Sequence, residues 1–270
     1  MQNICLEKGD TVLIRADISQ ILKSKNNLKA KDILDVILDV IGEGGTVISP
    51  AYTTSSFIKR DEKNIFTVKS RTISGLFSMT MLVNKYSVRS SHPTNSYVAI
   101  GKYAEDILNN HDEKSGAYEP IRKIMELSGK MLLLGCARSS FGFTTTHLAE
   151  IDLKLHKRIV YPALTTAFYE KNGEKKLFKR KDPGLCVANY YKLFGLYIKH
   201  EILRQNYIGG VYSLLVDANE AYKIDFETLK SNPKFNICES KNCFQCRAMR
   251  WDNLLSVPRF IFNKIVKKLR

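Results

Sequence analysis

Between Lys130 and Glu150 a short apolar run ends in glycine, a small polar loop follows, and hydroxyls mark a helix start; this order limits the possible folds most. Lys130 to Cys136 has the length and flanks of a buried strand. Ala137 to Phe143, with its serines and glycine, reads as a loop. Thr144, Thr145 and Thr146 supply oxygens suited to capping a helix that starts near His147. In open α/β sheets, the turn from a strand into a helix is where ligands bind. On that helix His147 and Glu150 stand three residues apart and share a face. A carboxylate one turn from an imidazole can hold its tautomer and raise its basicity, as a general base requires. Spacing alone fits a solvated histidine and glutamate equally well.

The rest of the chain supports an α/β reading. Thr11 to Ala16 reads as a first strand, and Asp17 to Lys29 as a polar loop or short helix. Ile33, Leu34, Ile37, Leu38 and Ile41 recur at helical spacing, and Gly42, Gly44 and Gly45 end that helix. Thr46 to Ser49 is a second strand, which completes a βαβ unit and implies parallel pairing. Further helices are expected over 74–84, 102–110 and 119–128. Asn172-Gly173 between two strand-like runs marks a hairpin. A long helix is expected from Val187 to Gln205, then a strand over 210–216 and a helix over 218–229. The expected architecture is α/β: an open, mostly parallel sheet with helices on both faces, plus a β-hairpin and a basic C-terminal extension. At 270 residues there is material for one substantial core, assigned to 1–236, with 237–270 as the cysteine-containing extension.

Hydrophobic content of 44% and charged content of 26% are those of an ordinary globular chain. No run approaches a membrane span, and Met1 to Cys5 lacks the apolar core of a secretory signal, so a cytoplasmic location and reduced cysteines are expected. The net charge of +15 favours anionic partners. No zinc-finger, RNP or helix-turn-helix pattern accompanies it, so nucleic acid is not an expected partner.

Four ordered segments carry a resemblance. They are Gly9 to Ser19, Gly45 to Pro50, Val88 to Ser96 followed by Ala99, Gly101 and Ala104, and Thr144 to Glu150. Together they resemble the aminoglycoside 3-N-acetyltransferase family over roughly residues 9 to 230. The resemblance implies acetyl-CoA as co-substrate, an amine on a sugar ring as acceptor, and a histidine–glutamate pair beside the thioester. It implies catalytic roles for His147, Glu150 and His92, since the segment around His92-Pro93 lines the family's cleft. It places Asp17 and Ser19 at the turn that contacts CoA, with Arg89, Ser90, Thr144 and Thr145 as further CoA-binding positions. Thr144 to Thr146 also stand where an oxyanion could be met by hydroxyls or helix N-terminal N–H groups. Arg15 replaces a histidine common in the family, and the usual glycine near Leu22 is missing, so this turn departs from the pattern. Direct transfer is expected rather than an acetyl-enzyme, because no cysteine belongs to the motifs. A non-catalytic membrane-associated binding protein on the same fold is the alternative class.

Charge bears on the acceptor. Aminoglycosides are polycations, and a chain with 42 basic against 27 acidic residues repels them at long range. A nucleotide-linked or glycan amino sugar is therefore the expected acceptor, with aminoglycoside resistance as the alternative; Glu113, Glu119 and Asp152 are the carboxylates that would favour the drug. His111, in the polar run Asn109 to Glu113, reads as exposed.

Cys238, Cys243 and Cys246 lie outside the resemblance. Three thiols are one short of a zinc site, so no metal is assigned, although Cys186 or His200 could complete a set in space. In the tail, Phe262, Ile265, Val266 and Leu269 recur at helical spacing opposite Lys264, Lys267, Lys268 and Arg270, with Trp251, Leu254, Leu255 and Phe260 before them. Such a helix packs on its own domain, on a second subunit of a homodimer, or on an anionic membrane surface as a peripheral contact.

Overall fold

The computed structural model describes residues 5–24, 27–57, 61–137, 142–158, 164–181, 186–248 and 256–268. Short, mostly continuous apolar runs build a seven-stranded sheet from β1 (Thr11–Ala16), β2 (Thr46–Pro50), β5 (Val88–Arg89), β6 (Tyr97–Gly101), β7 (Lys130–Leu134) and β11 (Val211–Asp217), with the more polar β10 (Arg204–Ile208) at one edge. Their order is β10-β11-β7-β1-β2-β6-β5. β7, β1 and β2 are parallel, and the strands added on either side are antiparallel. The expected open α/β sheet is thus present, with its parallel part at the centre.

Both faces of the central strands are buried, as parallel strands require. Val12, Ile14, Val47, Leu132 and Leu134 pack with α2 (Ala30–Ile41) and α3 (Leu76–Leu82) on one face. Leu13, Ile48, Met131 and Leu133 pack with residues of α4 (Ala104–Leu108), α5 (Glu119–Glu126), α6 (Thr145–Asp152) and α8 (Ala218–Ser231) on the other. In α2, Ile33, Leu34, Ile37 and Ile41 face inward while Val36 and Val40 stay exposed. Burying such side chains contributes on the order of 1.5–3 kcal/mol each. The C-terminal ends of β1, β2 and β7 open on the same edge, as does α6, which follows β7.

The Asn172-Gly173 turn forms as read, with both residues at positive φ (57° and 76°) between β8 (Thr165–Lys171) and β9 (Glu174–Lys179). This hairpin builds a second, four-stranded sheet with β3 (Ser56–Phe57) and β4 (Ile65–Phe66), around Phe66, Tyr169 and Phe178. The long helix expected over 187–205 is corrected. A 3₁₀ turn at Val187–Asn189 leads into α7 (Tyr191–Lys199), and the chain then enters β10. Glu201 at φ 58° breaks the helix, and Gly209-Gly210, both at positive φ, close a β10–β11 hairpin. The first α-helix, α1 (Ser19–Ser24), occupies the lysine-rich stretch after β1. At the C-terminus, α9 (Ser256–Lys268) has Phe260 buried and in ring contact with Phe244. Phe262 and Ile265 are exposed; Trp251, Leu254, Leu255 and Leu269 lie outside the described residues. No helix among the described residues is long and apolar enough to cross a membrane.

Two glycines at positive φ differ in surroundings. A Cβ at Gly173 (φ 76°) meets nothing within 4 Å, whereas one at Gly135 (φ 68°) would run into the Asp17 carbonyl and Val211. Gly173→Ala should therefore cost about 1 kcal/mol from backbone strain alone, and Gly135→Ala about 3 kcal/mol or more. Urea unfolding of the two variants checks this; equal losses would contradict the close approach of the β7 end to the Asp17 turn.

Candidate functional site

The loop after β7 and the start of α6 bring His147 next to Glu150, as the three-residue spacing required. His147 Nδ1 lies 3.3 Å from Glu150 Oε2. The side chains are largely buried, 12% and 2% exposed. Neither Lys nor Arg faces the carboxylate among its described contacts. The Tyr190 hydroxyl donates to Glu150 Oε2 at 2.6 Å, and Asn236 Nδ2 donates to Oε1 at 3.0 Å. Tyr190 Oη is also 2.8 Å from His147 Nδ1. With the hydroxyl proton directed at Glu150, Nδ1–H is the donor on the histidine side. That network assigns the lone pair to Nε2. The ring is sandwiched: Tyr118 stacks on it at 4.9 Å, and Tyr190 meets it edge-on at 5.0 Å. Burial and the carboxylate raise the Tyr190 hydroxyl well above its ordinary pKa, so it stays a donor.

Below this pair lies a second buried carboxylate. Asp225 on α8 accepts from Thr146 Oγ1 and from the Tyr197 hydroxyl, and burial pushes it up to about 7. Thr146 thus ties the first turn of α6 to α8 instead of capping its own helix. Thr144, at the N-cap, makes no side-chain cap bond. The Thr144 and Thr145 side chains are 3% and 0% exposed, so their hydroxyls are not presented to a ligand as expected.

A pocket of about 480 Å³ opens at the ends of β1 and β2, lined by Arg15, Asp17, Ser19, Tyr52, Gly75, Cys136 and neighbours. Asp17 and Ser19 are where the sequence placed a ligand contact. Asp17 Oδ1 accepts from the Ser19 N–H and hydroxyl, which lowers its pKa and shapes the turn. The Cys136 thiol donates to the Arg15 carbonyl at 3.1 Å. Arg15 Nη1 donates to the Gly142 carbonyl at 3.3 Å, and a Cβ at Gly142 would come within 2.6 Å of Tyr190. The pocket wall is therefore continuous, through Gly142, with the tyrosine that holds His147.

The other positions expected at the site are internal. Arg89 donates to Ser96 Oγ and to the carbonyls of Ala51, Val68 and Ser70, so four of the five N–H groups of its guanidinium clamp loops. Ser90 accepts from the Tyr97 N–H and bonds His111. His92 is 0% exposed; its Nδ1 accepts from the N–H groups of Thr94 and Asn95, and its ring stacks on His111 at 4.8 Å. It holds its own turn and makes no described contact with His147. His111 is 2% exposed rather than solvated, because it bonds Ser90 and the Gly116 carbonyl. Burial pulls His92 down to about 2 and His111 to about 4. Glu113, Glu119 and Asp152 are ion-paired, the first to Lys171 and the other two to Arg122.

Tyr190, Asn236 and Tyr118 carry no local signal in the sequence. Tyr190 falls within the helix expected over Val187 to Gln205, and nothing near Asn236 points to a partner 86 residues away.

The sequence matches the family model described as aminoglycoside 3-N-acetyltransferase over residues 13–230. An aminoglycoside N(3)-acetyltransferase III from Salmonella is 25% identical over 253 residues, covering 82% of this chain and 85% of that protein. The prophage-derived aminoglycoside N(3')-acetyltransferase-like protein YokD of Bacillus subtilis is 29% identical over 175 residues, covering 57% of this chain and 63% of its own length. Among solved structures, a variant of aminoglycoside acetyltransferase AAC(3)-IVa in complex with a gentamicin superposes with a TM-score of 0.77 at 18% identity, covering 91% of each chain. AAC-IIIb in a binary complex with CoASH does so at 0.67 and 24% identity, covering 84% of this chain and 91% of that one. These superpositions establish the fold.

The buried histidine pair sets an acid sensitivity. Unfolded, His111 takes a proton near pH 6.5; folded, it stays neutral down to about pH 4. Between those values the unfolded chain binds more protons, so stability present above pH 6.5 is lost as pH falls. From pH 7 to pH 5 the native chain should lose about 2 kcal/mol more than a His111→Asn variant. Urea unfolding at both pH values measures it; equal losses would contradict the buried neutral imidazole.

Proposed function

The chain belongs to the aminoglycoside 3-N-acetyltransferase family, and from that premise we propose that it transfers an acetyl group from acetyl-CoA directly to an amine of an aminoglycoside-type sugar. The observation that carries this reading is the Tyr190–Glu150–His147 network, which leaves Nε2 of a largely buried imidazole as the basic nitrogen. The acetyl donor supplies a thioester carbonyl. His147 Nε2 accepts the proton that the acceptor amine must lose as its nitrogen bonds to that carbonyl, and returns it to the sulfur as the carbon–sulfur bond breaks. Glu150 offsets the charge that the ring carries between these steps, and the Tyr190 hydroxyl keeps the carboxylate oriented. The Thr144 and Thr145 hydroxyls are buried and the Thr146 and His147 N–H groups bond the Phe143 and Thr144 carbonyls, so what the start of α6 offers to negative charge on the carbonyl oxygen is the positive end of its dipole. The pocket bounded by Arg15, Asp17 and Ser19 suits the donor, and its wall residue Arg15 bonds Gly142, which packs on Tyr190. Cys136 lines that pocket, but its thiol proton is engaged by the Arg15 carbonyl, which fits direct transfer better than an acetyl-cysteine.

A second acceptor reading, an anionic amino sugar such as a nucleotide-linked one, rests on a specific observation. A pocket of about 330 Å³ adjoins the first at Ile73; Lys63 and Arg71 line it, and no carboxylate does. The three carboxylates expected to attract a polycation are already ion-paired.

His147→Ala should lower kcat by about 100- to 10,000-fold while leaving CoA affinity nearly unchanged. Near-normal turnover would mean that His147 is not the base. Tyr190→Phe should lower kcat about 10- to 100-fold, as expected when a buried charged group loses a hydrogen-bond donor. Turnover with gentamicin- or kanamycin-like drugs, measured against nucleotide-linked amino sugars, decides the acceptor. Acetylation of the drugs alone supports the first reading, and acetylation of the sugar nucleotides alone replaces it with the second.

A further inference from the structure

Four cysteines that are distant in sequence converge beside the site. Cys186 precedes the 3₁₀ turn at Val187–Asn189, while Cys238, Cys243 and Cys246 come from the segment after α8. Their sulfurs all lie within 4.8 Å of one another, and Cys243 Sγ is 3.6 Å from Cys186 Sγ. Zinc–sulfur bonds of about 2.3 Å in a tetrahedron place the sulfurs about 3.8 Å apart, so the four thiols stand close to the corners of such a site. Two of them, Cys243 and Cys246, form a C-x₂-C pair, and Cys186 supplies the ligand that the local sequence lacked.

We propose that Cys186, Cys238, Cys243 and Cys246 bind one structural zinc ion as four thiolates. All four positions are filled by protein, which leaves none open for water or substrate, as in structural rather than catalytic sites. Four thiolates outweigh the ion by two negative charges, and the basic surroundings fit this excess. Arg247 donates from Nη2 to the Cys238 carbonyl at 2.6 Å and from Nε to the Ser240 carbonyl at 3.2 Å, which places its guanidinium on the loop carrying the ligands. Asn189 Nδ2 donates to the Ile237 carbonyl at 2.7 Å, and Lys192 pairs with Glu239, so both strands of the knot are also tied by side chains.

The placement gives the ion a task. Tyr190 lies four residues after Cys186, and Asn236 lies two residues before Cys238. These are the residues that donate to the two oxygens of Glu150. The ion joins the segments that carry them, and so holds both donors on the carboxylate behind His147. Zinc thereby acts on catalysis only through positioning.

The test uses the full chain, purified without chelator and with any metal-binding tag removed. Elemental analysis should find about one zinc per chain, and Cys243→Ser and Cys246→Ser should each lower this to below about a tenth. Cobalt exchange under reducing conditions should give the intense visible bands of tetrahedral cobalt–thiolate coordination. Because the serine variants can lose their fold, the native chain's zinc content and cobalt spectrum carry the decision. His147→Ala should keep its zinc, which separates this proposal from the acetyl-transfer reading. A native chain holding less than about a tenth of an equivalent of zinc and giving no cobalt–thiolate bands overturns it, as does iron in place of zinc.

Discussion

Everything at the candidate site turns on Glu150, a carboxylate enclosed by protein and satisfied by neutral donors. A buried carboxylate without partners is strongly disfavoured, so its oxygens must be met somewhere in the fold. One oxygen takes the Tyr190 hydroxyl and the other takes the Asn236 amide, with His147 Nδ1 alongside. Those partners come from three parts of the chain: the first turns of α6, the residue before α7, and the segment after α8. α6 packs on α8 through the Thr146–Asp225 bond, and the four cysteines converge on the segments that carry Tyr190 and Asn236. The requirement of one carboxylate thus links the sheet's central strands, the helix layer and the C-terminal segment to a single imidazole.

What is legible in the sequence is local. The β7–loop–α6 order, the pairing of His147 with Glu150 and the Asn172-Gly173 hairpin each follow from periodicity, turn chemistry or a spacing of a few residues. What is not legible depends on distant contacts. Tyr190 looks like one more inward-facing aromatic, because the acid it bonds is 40 residues away. Arg89 and Ser90 carry the right chemistry for a phosphate, yet buried carbonyls and His111 claim their bonds first. His111 sits in a polar run that reads as exposed, and its burial comes from ring contacts with His92 and Tyr97. Gly209-Gly210 does carry a hairpin signal, which the apolar residues of α7 obscure. Three of the four clustered cysteines stand out by spacing, and only folding brings Cys186 to them.

The charge of the chain separates family from acceptor. Transfer chemistry depends on the geometry around His147, whereas capture of a substrate depends on the field and the pocket lining. A net charge of +15 and a basic second pocket oppose a polycation at long range. A close-range site can overcome such a field with local carboxylates; Glu113, Glu119 and Asp152 are ion-paired, whereas Asp17 lines the first pocket. Family membership and electrostatics therefore pull the acceptor in different directions, although both are compatible with the same base.

In the proposed transfer, Tyr190 and Glu150 hold His147 in the tautomer with its proton on Nδ1 and its lone pair on Nε2. Nitrogen NMR of the chain with ¹⁵N-labelled histidine, with the His147 signals assigned by comparison with His147→Gln, reads it directly. The expected result is a protonated, pyrrole-like Nδ1 and a bare, pyridine-like Nε2, with the balance of tautomers disturbed in Tyr190→Phe. A His147 with Nε2 protonated and Nδ1 bare would contradict it.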